Sequence, residues 1–333
     1  GMYTVSTFNN GCSILLPGDY MKRFSDLLRM NPPLVLTVVA NLGLFCVLLP
    51  LAFLDTRLVT GQPVWIKPLK FAISVSLYSG TLMWLLGYVK KQVLARRVAW
   101  IVAVTLLIEM ILIVLQAARG VASHFNVDAP VDGAIFSIMG LSIAILWIAH
   151  LVTSVSLLRD RTWTGPLSSA VRGGMIVAAL GMVVAFVMTA PGFNGPVQFS
   201  PNGQPYPTGH IIGAPQDAPG LALLGWSTTG GDLRVSHFVG LHALQILPLF
   251  ALLLSAFKIS AESRILLVRA LSVVYGAVVV ILLLQALRGI PFFRMDSLTL
   301  GSYAACAIFF AGVVLFVLFR GQSRGMDSKL IQE

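Results

Sequence analysis

The chain alternates between long apolar runs and short polar stretches. Eight of the apolar runs are about 20 residues long, the length that a helix needs to cross the hydrocarbon core of a bilayer. We therefore predict an all-α integral membrane protein with about eight transmembrane helices. The predicted spans are Leu34–Leu54, Phe71–Val89, Val98–Ala118, Gly133–Leu158, Gly173–Ala190, His237–Phe257, Ile265–Leu287 and Ser297–Phe319.

The composition supports a lipid environment. Only 11% of the 333 residues are charged, against about 25% in a typical soluble domain. So little charge does not cover the surface of a water-soluble protein of this size, so the bilayer is the expected partner. The net charge of +10 does not indicate nucleic-acid binding, because the basic residues are dispersed over short connections instead of forming one basic face.

The basic residues favour one orientation of the helices. They lie before helix one, between helices two and three, four and five, and six and seven, and after helix eight. The other connections are poorer in Lys and Arg. The positive-inside rule then places both termini in the cytoplasm. We expect the membrane to be the plasma (inner) membrane. The main positions are Lys22, Arg23, Lys90, Lys91, Arg96, Arg97, Arg159, Arg161, Arg172, Lys258, Arg264, Arg320 and Arg324.

The predicted organisation has four parts. Residues 1–33 form a cytoplasmic N-terminal segment, 34–160 a first four-helix unit, 161–320 a second four-helix unit, and 321–333 a cytoplasmic tail. The second unit carries a long outer loop, 191–234, rich in Gly and Pro. Loops of this length are usually functional or disordered, so we interpret it either as a lid or as a wet loop whose Tyr206 and Trp226 anchor it at the interface.

An internal repeat is indicated by two related helix ends. Residues 116–120 read Gln-Ala-Ala-Arg-Gly, and 169 positions later residues 285–289 read Gln-Ala-Leu-Arg-Gly. Their equivalent places, at the ends of helices three and seven, predict two parallel four-helix repeats related by an axis along the membrane normal. Helices 2, 3, 6 and 7 would form a central bundle. The alternative is coincidence, since Arg and Gly commonly end a helix at an interface.

Polar residues inside the predicted spans are candidates for a site, because ionisable groups in a bilayer are costly and usually face the bundle interior. Glu109 lies about 15 Å deeper than Arg119 on helix three. His242 and Gln245 lie one turn apart on helix six at a similar depth, so we expect Glu109 to face inward and to pair with His242 or Lys70. The candidate ligand- or cofactor-binding residues are Lys70, Glu109, Gln116, Arg119, His124, His237, His242, Gln245, Gln285 and Arg288.

The sequence leaves the chemistry of this outward-facing site open. No metal site is expected, because His237 and His242 are five residues apart and point about 140° away from each other on a helix. A redox cofactor, haem or quinone, would use His242 with His124 or His237 as ligands. The predicted helix number and repeat resemble those of haem A synthase, although the Glu-x-x-His-Arg motif of that family is absent.

Three further readings remain. The Lys, Arg and His side chains suit an anionic amphiphilic ligand, because charged donors hydrogen-bond carboxylates and phosphates strongly. A small-solute or lipid transporter is the alternative, with a helix break expected near Gly240 and Pro248 in helix six. A non-catalytic membrane scaffold is the third class. No specific catalytic motif is present, so the sequence does not decide whether the protein is an enzyme.

Overall fold

The computed structural model describes residues 31–189, 209–216, 218–222 and 224–330. Within these residues, eight α-helices are long and apolar enough to cross a membrane, which confirms the predicted polytopic architecture. They are α1 (Pro32–Leu54), α2 (Ile66–Leu86), α3 (Gln92–Arg119), α4 (Pro130–Arg159), α5 (Pro166–Thr189), α6 (Leu233–Leu253), α7 (Ala261–Leu287) and α8 (Ser297–Leu330).

Several helices begin before their apolar run begins. α2 starts at Ile66, so Lys67 and Lys70 lie in its first turns, and α3 starts at Gln92. The backbone hydrogen bonds of a helix do not require apolar side chains, and long basic side chains reach the interface from the ends of a span. Hydropathy alone therefore places the starts of these helices several residues late.

Two connections contain a short antiparallel strand pair. Strands β1 (Leu58–Val59) and β2 (Gln62–Pro63) join α1 to α2, and β3 (Ile211–Ile212) pairs with β4 (Gly231–Asp232) before α6. The turn of the first pair has positive φ at both Thr60 and Gly61, the geometry that matches strand twist in tight hairpins. No helix occurs in the described part of the α5–α6 connection, residues 209–216, 218–222 and 224–232.

The helices of the two halves pack in the same pairwise scheme. In the first half α1 contacts α2 and α3, α2 contacts α3, and α3 contacts α4. In the second half α5 contacts α6 and α7, α6 contacts α7, and α7 contacts α8. The halves meet where α4 packs on α5 and where Gln245 Nε2 on α6 donates to Thr81 Oγ1 on α2 at 2.8 Å.

Burial within the protein differs between the helices. About half of the membrane window of α3 and of α5 is buried, against 28% for α7 and 6% for α8. The predicted central bundle of helices 2, 3, 6 and 7 stays a prediction. The burial favours α5 over α7 as the fourth central helix.

The break in helix six that the transporter alternative would use is not present. α6 is continuous from Leu233 to Leu253, through both Gly240 and Pro248, and a short 3-10 turn (Leu254–Ala256) follows it. Gly240 instead allows α6 to pack closely against α5. A Cβ on Gly240 would lie 2.5 Å from Gly181 Cα of α5, so glycine at both positions allows the two backbones to approach closely.

Four connections meet at one end of the molecule, which we call the hairpin end: residues 55–65, 120–129, 209–232 and 288–296. Arg57 donates to Ala118 O at 3.0 Å, and the rings of Trp226 and Phe292 lie 5.8 Å apart. At the opposite, basic end, Lys90 pairs with Asp160 at 2.9 Å. The hairpin end is the one that the basic residues predict to face outward.

Candidate functional site

Three ionisable side chains form a continuous chain at the hairpin end. His124, in the α3–α4 connection, has its Nδ1 atom 3.0 Å from Lys67 Nζ of α2. Its Nε2 atom lies 3.2 Å from Glu109 Oε1 of α3. The His124 side chain is 23% exposed whereas that of Glu109 is 1% exposed, so the chain runs from the surface into the membrane span.

Glu109 faces the protein interior, as expected, but its partner was predicted incorrectly. The contact is with His124 and not with His242 or Lys70. The Nε2–Oε1 separation is an ion-pair distance without hydrogen-bond alignment, and neither carboxylate oxygen has an aligned donor among the described residues. An under-satisfied buried carboxylate is energetically costly.

Aromatic rings surround His124. The centroids of Phe71, Phe125 and Phe136 lie 6.0 to 6.3 Å from the imidazole centroid, and we call these three rings the aromatic collar. Phe125 has φ of +58°, a left-handed conformation that is strained for a bulky residue. Such strain concentrates at functional sites. The Phe125 ring lies 6.3 Å from the His124 ring and 6.1 Å from the His210 ring.

A second polar cluster lies beside this chain. Lys70 Nζ donates to Leu224 O at 3.1 Å and to Gln62 Oε1 at 3.4 Å. Asp232 caps the N-terminus of α6 by accepting from Arg234 N at 3.0 Å, and its carboxylate also pairs with the Arg234 guanidinium at 2.6 Å. The described α5–α6 connection is thereby tied to α2 and α6.

The titration of the groups outside the spans follows from burial and from the neighbouring cations. Burial, and then the charge of Lys67, lowers the pKa of His124, and Glu109 opposes this only partly. Burial, with help from Arg234, lowers the pKa of His210 to about 3. Burial alone would raise the pKa of Asp232, but the hydrogen bonds and charge of Arg234 lower it overall. Both histidines are therefore neutral at pH 7.

The Gln-Ala-Ala-Arg-Gly segment forms a clamp between α3 and α4. Gln116 is fully buried and donates to Asp132 Oδ1 at 2.9 Å. Arg119 donates to the same oxygen at 2.6 Å and also to Gln116 Oε1. Gly120, at φ of +73°, ends the helix in the left-handed conformation that favours glycine.

The matching segment forms a similar clamp between α7 and α8. Arg288 pairs with Asp296 at 2.6 Å, next to the N-terminus of α8, and Gly289 has φ of +72°. The buried Gln285 differs from Gln116, because its Nε2 donates to backbone carbonyls that include Pro291 O at 2.9 Å. Gln116, Arg119, Gln285 and Arg288 therefore fasten helix ends, and none of the four contacts the Lys67–His124–Glu109 chain through a described hydrogen bond or ion pair.

The predicted residues of helix six lie apart from that chain. His237 Nδ1 is 2.8 Å from Gly181 O of α5. The His242 ring packs edge-on against Phe238 at 4.2 Å. Gln245 binds Thr81 of α2. These residues have structural partners, and no described hydrogen bond or ion pair joins them to Glu109.

Sequence reasoning missed several polar residues at the hairpin end. The candidate site residues drawn from the sequence did not include Lys67. Asp132 and Asp296 follow the two repeated Arg-Gly helix ends, and that parallel placement was a usable signal. A second usable signal was the Asp-x-Arg pattern, which occurs in both strand-containing connections as Asp55-Thr-Arg57 and Asp232-Leu-Arg234.

The histidine geometry gives no support to haem ligation. Both ring nitrogens of His124 already face Lys67 and Glu109, and one nitrogen of His237 faces a backbone carbonyl. Within the described part of the chain, no group of three His, Cys, Asp or Glu side chains is arranged to hold a metal ion.

Comparison with known proteins adds no relative: no protein-family model, curated protein or solved structure matches this chain.

Proposed function

We propose that the hairpin end binds a small anionic or amphiphilic ligand that carries a phosphate or carboxylate group. The proposal is based mainly on one observation. Lys67 and Lys70, one turn apart on α2, have no acidic side chain within ion-pair distance among the described residues. Unpaired cations in a partly buried setting favour an anion, and charged donors give the strongest hydrogen bonds to phosphate and carboxylate oxygens.

The neighbouring acids do not neutralise the two lysines. Asp232 is committed to Arg234 and to Ser227 N, and Glu109 contacts His124. Lys70 instead donates to an amide oxygen and a carbonyl oxygen, Gln62 Oε1 and Leu224 O. Anion oxygens can replace both acceptors.

Ligand access requires the α5–α6 connection to move. A cavity at the hairpin end, lined by Asp232, Gln285 and Phe292 among others but not by Lys67 or Lys70, has a volume of only about 10 Å³, room for about one water molecule. Leu224 O covers Lys70 directly. The described residues of this connection thus act as the lid, and an incoming anion would compete with Leu224 O for Lys70.

We also propose that the two halves are a parallel repeat. The ligand site would lie on the outer, non-cytoplasmic side of the inner membrane. The shared contact scheme of the helices, the left-handed Gly120 and Gly289 and the strand pair in each first connection support the repeat. The ligand site belongs mainly to the first half, because Val278 stands 169 positions after Glu109 and Phe293 stands 169 positions after His124.

Calorimetric titration of the purified full chain in a neutral maltoside detergent tests the ligand proposal. The probes are inorganic phosphate, dodecyl phosphate and dodecanoate. Binding of phosphate alone identifies a free anion, and binding only of the two chain-bearing probes identifies an amphiphile. Binding of none of the three overturns the proposal.

Matched lysine variants locate the site. Lys67→Met and Lys70→Met should each weaken binding about tenfold or more, because one charge-assisted hydrogen bond contributes about 1.5–3 kcal/mol. Lys258→Met removes an exposed lysine from the α6–α7 connection at the basic end and should leave the affinity unchanged. Equal losses in all three variants would show unspecific charge attraction and contradict the site.

A further inference from the structure

His124 lies between a donor and an acceptor of protons. A lysine ammonium group only donates hydrogen bonds, so the His124 Nδ1 atom that faces Lys67 Nζ at 3.0 Å must be the acceptor. A neutral imidazole carries a single ring proton, which is then on Nε2. That atom faces Glu109 Oε1 at 3.2 Å. The geometry thus assigns the tautomer from the partners on each side.

The surroundings keep the imidazole neutral, and they leave only 23% of the His124 side chain exposed. The aromatic collar encloses the ring, and Ser123 Oγ lies 3.1 Å from Nδ1. A neutral imidazole both accepts and donates, as a proton relay requires. The charged and titratable groups that face this region are Lys67 and Lys70 on α2, Glu109 on α3, His210 and Asp232 in the α5–α6 connection, and Arg234 on α6.

We propose that His124 shuttles a proton between Lys67 at the hairpin end and Glu109 inside the membrane span. In the inward step, one N–H bond of the Lys67 ammonium breaks as Nδ1–H forms. The Nε2–H bond breaks as Oε1–H forms on Glu109. One proton has moved, the lysine and the carboxyl group are neutral, and the imidazole is left as its other tautomer. The reverse step restores the start.

One contact in this chain is not aligned for proton transfer, and a small side-chain rotation corrects it. The Nε2–Oε1 contact has the distance but not the alignment of a hydrogen bond. The terminal torsion of a glutamate is broad, so a rotation of the carboxylate aligns it. Contacts used in proton transfer are often poorly aligned at rest. The shuttle lets protons reach a buried carboxylate without water entering the span, and it does not depend on the proposed anion.

Rapid-scan infrared spectroscopy after a pH jump tests the shuttle in the full chain. The observable is the carbonyl stretch of a protonated carboxylic acid. A band that rises as the pH falls, and that Glu109→Gln abolishes, identifies the protonation of Glu109. Absence of the band in the unmodified protein, or its persistence in Glu109→Gln, overturns the proposal.

The rate of that band identifies the role of His124. In His124→Gln, which can bridge the gap but cannot relay a proton, the band should appear at least about tenfold more slowly, since positioned proton transfer contributes about 10²–10⁴-fold in enzymes. His242→Gln, a matched change on α6, should leave the rate unchanged. If His124→Gln does not fold, Lys67→Met must show the same slowing with His124 intact. An unchanged rate in a folded His124→Gln protein, or in Lys67→Met, refutes the shuttle.

Discussion

Two Asp-x-Arg segments show how burial changes the contribution of the same ion pair to protein stability. Asp55 with Arg57, and Asp232 with Arg234, form equivalent pairs: the arginine donates through its backbone N–H, Nε and Nη2 to the aspartate two residues earlier. The Asp55 side chain is 20% exposed, whereas that of Asp232 is fully buried. The two pairs therefore have nearly the same geometry in different surroundings.

Asp232→Asn should destabilise the protein far more than Asp55→Asn. The asparagine retains an oxygen for the helix cap but leaves Arg234 without a carboxylate. The expected loss is about 3 kcal/mol, at the low end for a broken buried pair, because the Arg234 side chain keeps 30% exposure. Asp55→Asn should cost less, because the Arg57 side chain is 47% exposed and ion pairs near the surface contribute little. Thermal unfolding in detergent measures both, and equal losses would contradict this assignment.

The effect of Asp232→Asn should also depend on pH. The pKa of Asp232 is lowered in the folded protein, so its contribution to stability is present above the unfolded carboxyl pKa of about 3.9. That contribution is lost as the pH falls through the folded pKa. The stability difference between the wild type and the variant should therefore narrow below about pH 4. A difference that stays constant in acid would show that charge is not the cause.

The helices α5 and α6 pack with a close backbone approach at their glycines. A Cβ on Gly181 would lie 2.7 Å from Gly240 Cα, and a Cβ on Gly174 would lie 2.9 Å from Ala243 O. Small residues let transmembrane helices pack closely where the hydrophobic effect does not drive association. This contact also presents Gly181 O to His237, so it sets the position of the α6 start that carries Asp232 and Arg234.

Gly181→Ala should therefore cost about 1–3 kcal/mol, because the methyl group would meet backbone atoms that cannot rotate away. The matched control is Gly140→Ala on α4, where an added Cβ has no neighbour within 4 Å. There the alanine should be neutral or should gain up to about 1 kcal/mol from helix propensity. The melting temperatures of the two variants in one detergent provide the measurement. A Gly181→Ala protein as stable as Gly140→Ala would show that the helices can separate freely.

The elements were far more predictable than the site. Span length and hydropathy located all eight helices, because a bilayer demands long apolar runs. The partner of Glu109 was missed, because it depends on how the ten-residue connection 120–129 folds and on the left-handed Phe125 within it. The repeated Arg-Gly motif did mark the ends of two helices, α3 and α7. It could not show that Arg119 binds Asp132 and that Arg288 binds Asp296, since those contacts join different elements.

The whole molecule combines a shared packing scheme with an unequal environment for the two halves. α4 and α8 have equivalent partners, α3 and α7, but α4 is also covered by α5. α8 has no comparable contact with α1, and only 6% of its membrane window is buried. The proposed repeat is thus open at the α8 side, where large apolar side chains such as Ile308 and Phe319 face the surroundings. Lipid suits such a face.

The orientation of the whole molecule follows from the charge at its two ends. The α2–α3 and α4–α5 connections meet at the basic end, where Lys90 pairs with Asp160 and Tyr88 stacks on Trp163 at 4.2 Å. Asp160 neutralises only one of the basic residues there, and Lys91, Arg96 and Arg97 remain without a described acidic partner. Lysine and arginine retain a connection in the cytoplasm far more strongly than acidic residues oppose this.

Reporter fusions measure this orientation directly. A phosphatase reporter, active only outside the cytoplasm, should be inactive when fused after Lys90 and active when fused after Gln204. A cytoplasmic fluorescent reporter should give the opposite pattern at the same two positions. Exchanging Lys90, Lys91, Arg96 and Arg97 for glutamine should weaken the preference without changing the helices, because the spans depend on hydropathy and the orientation depends on charge. Two fusions on the same side would refute both the orientation and the outward placement of the Lys67–His124–Glu109 chain. An even number of spans would then separate the two positions, instead of the three spans α3 to α5.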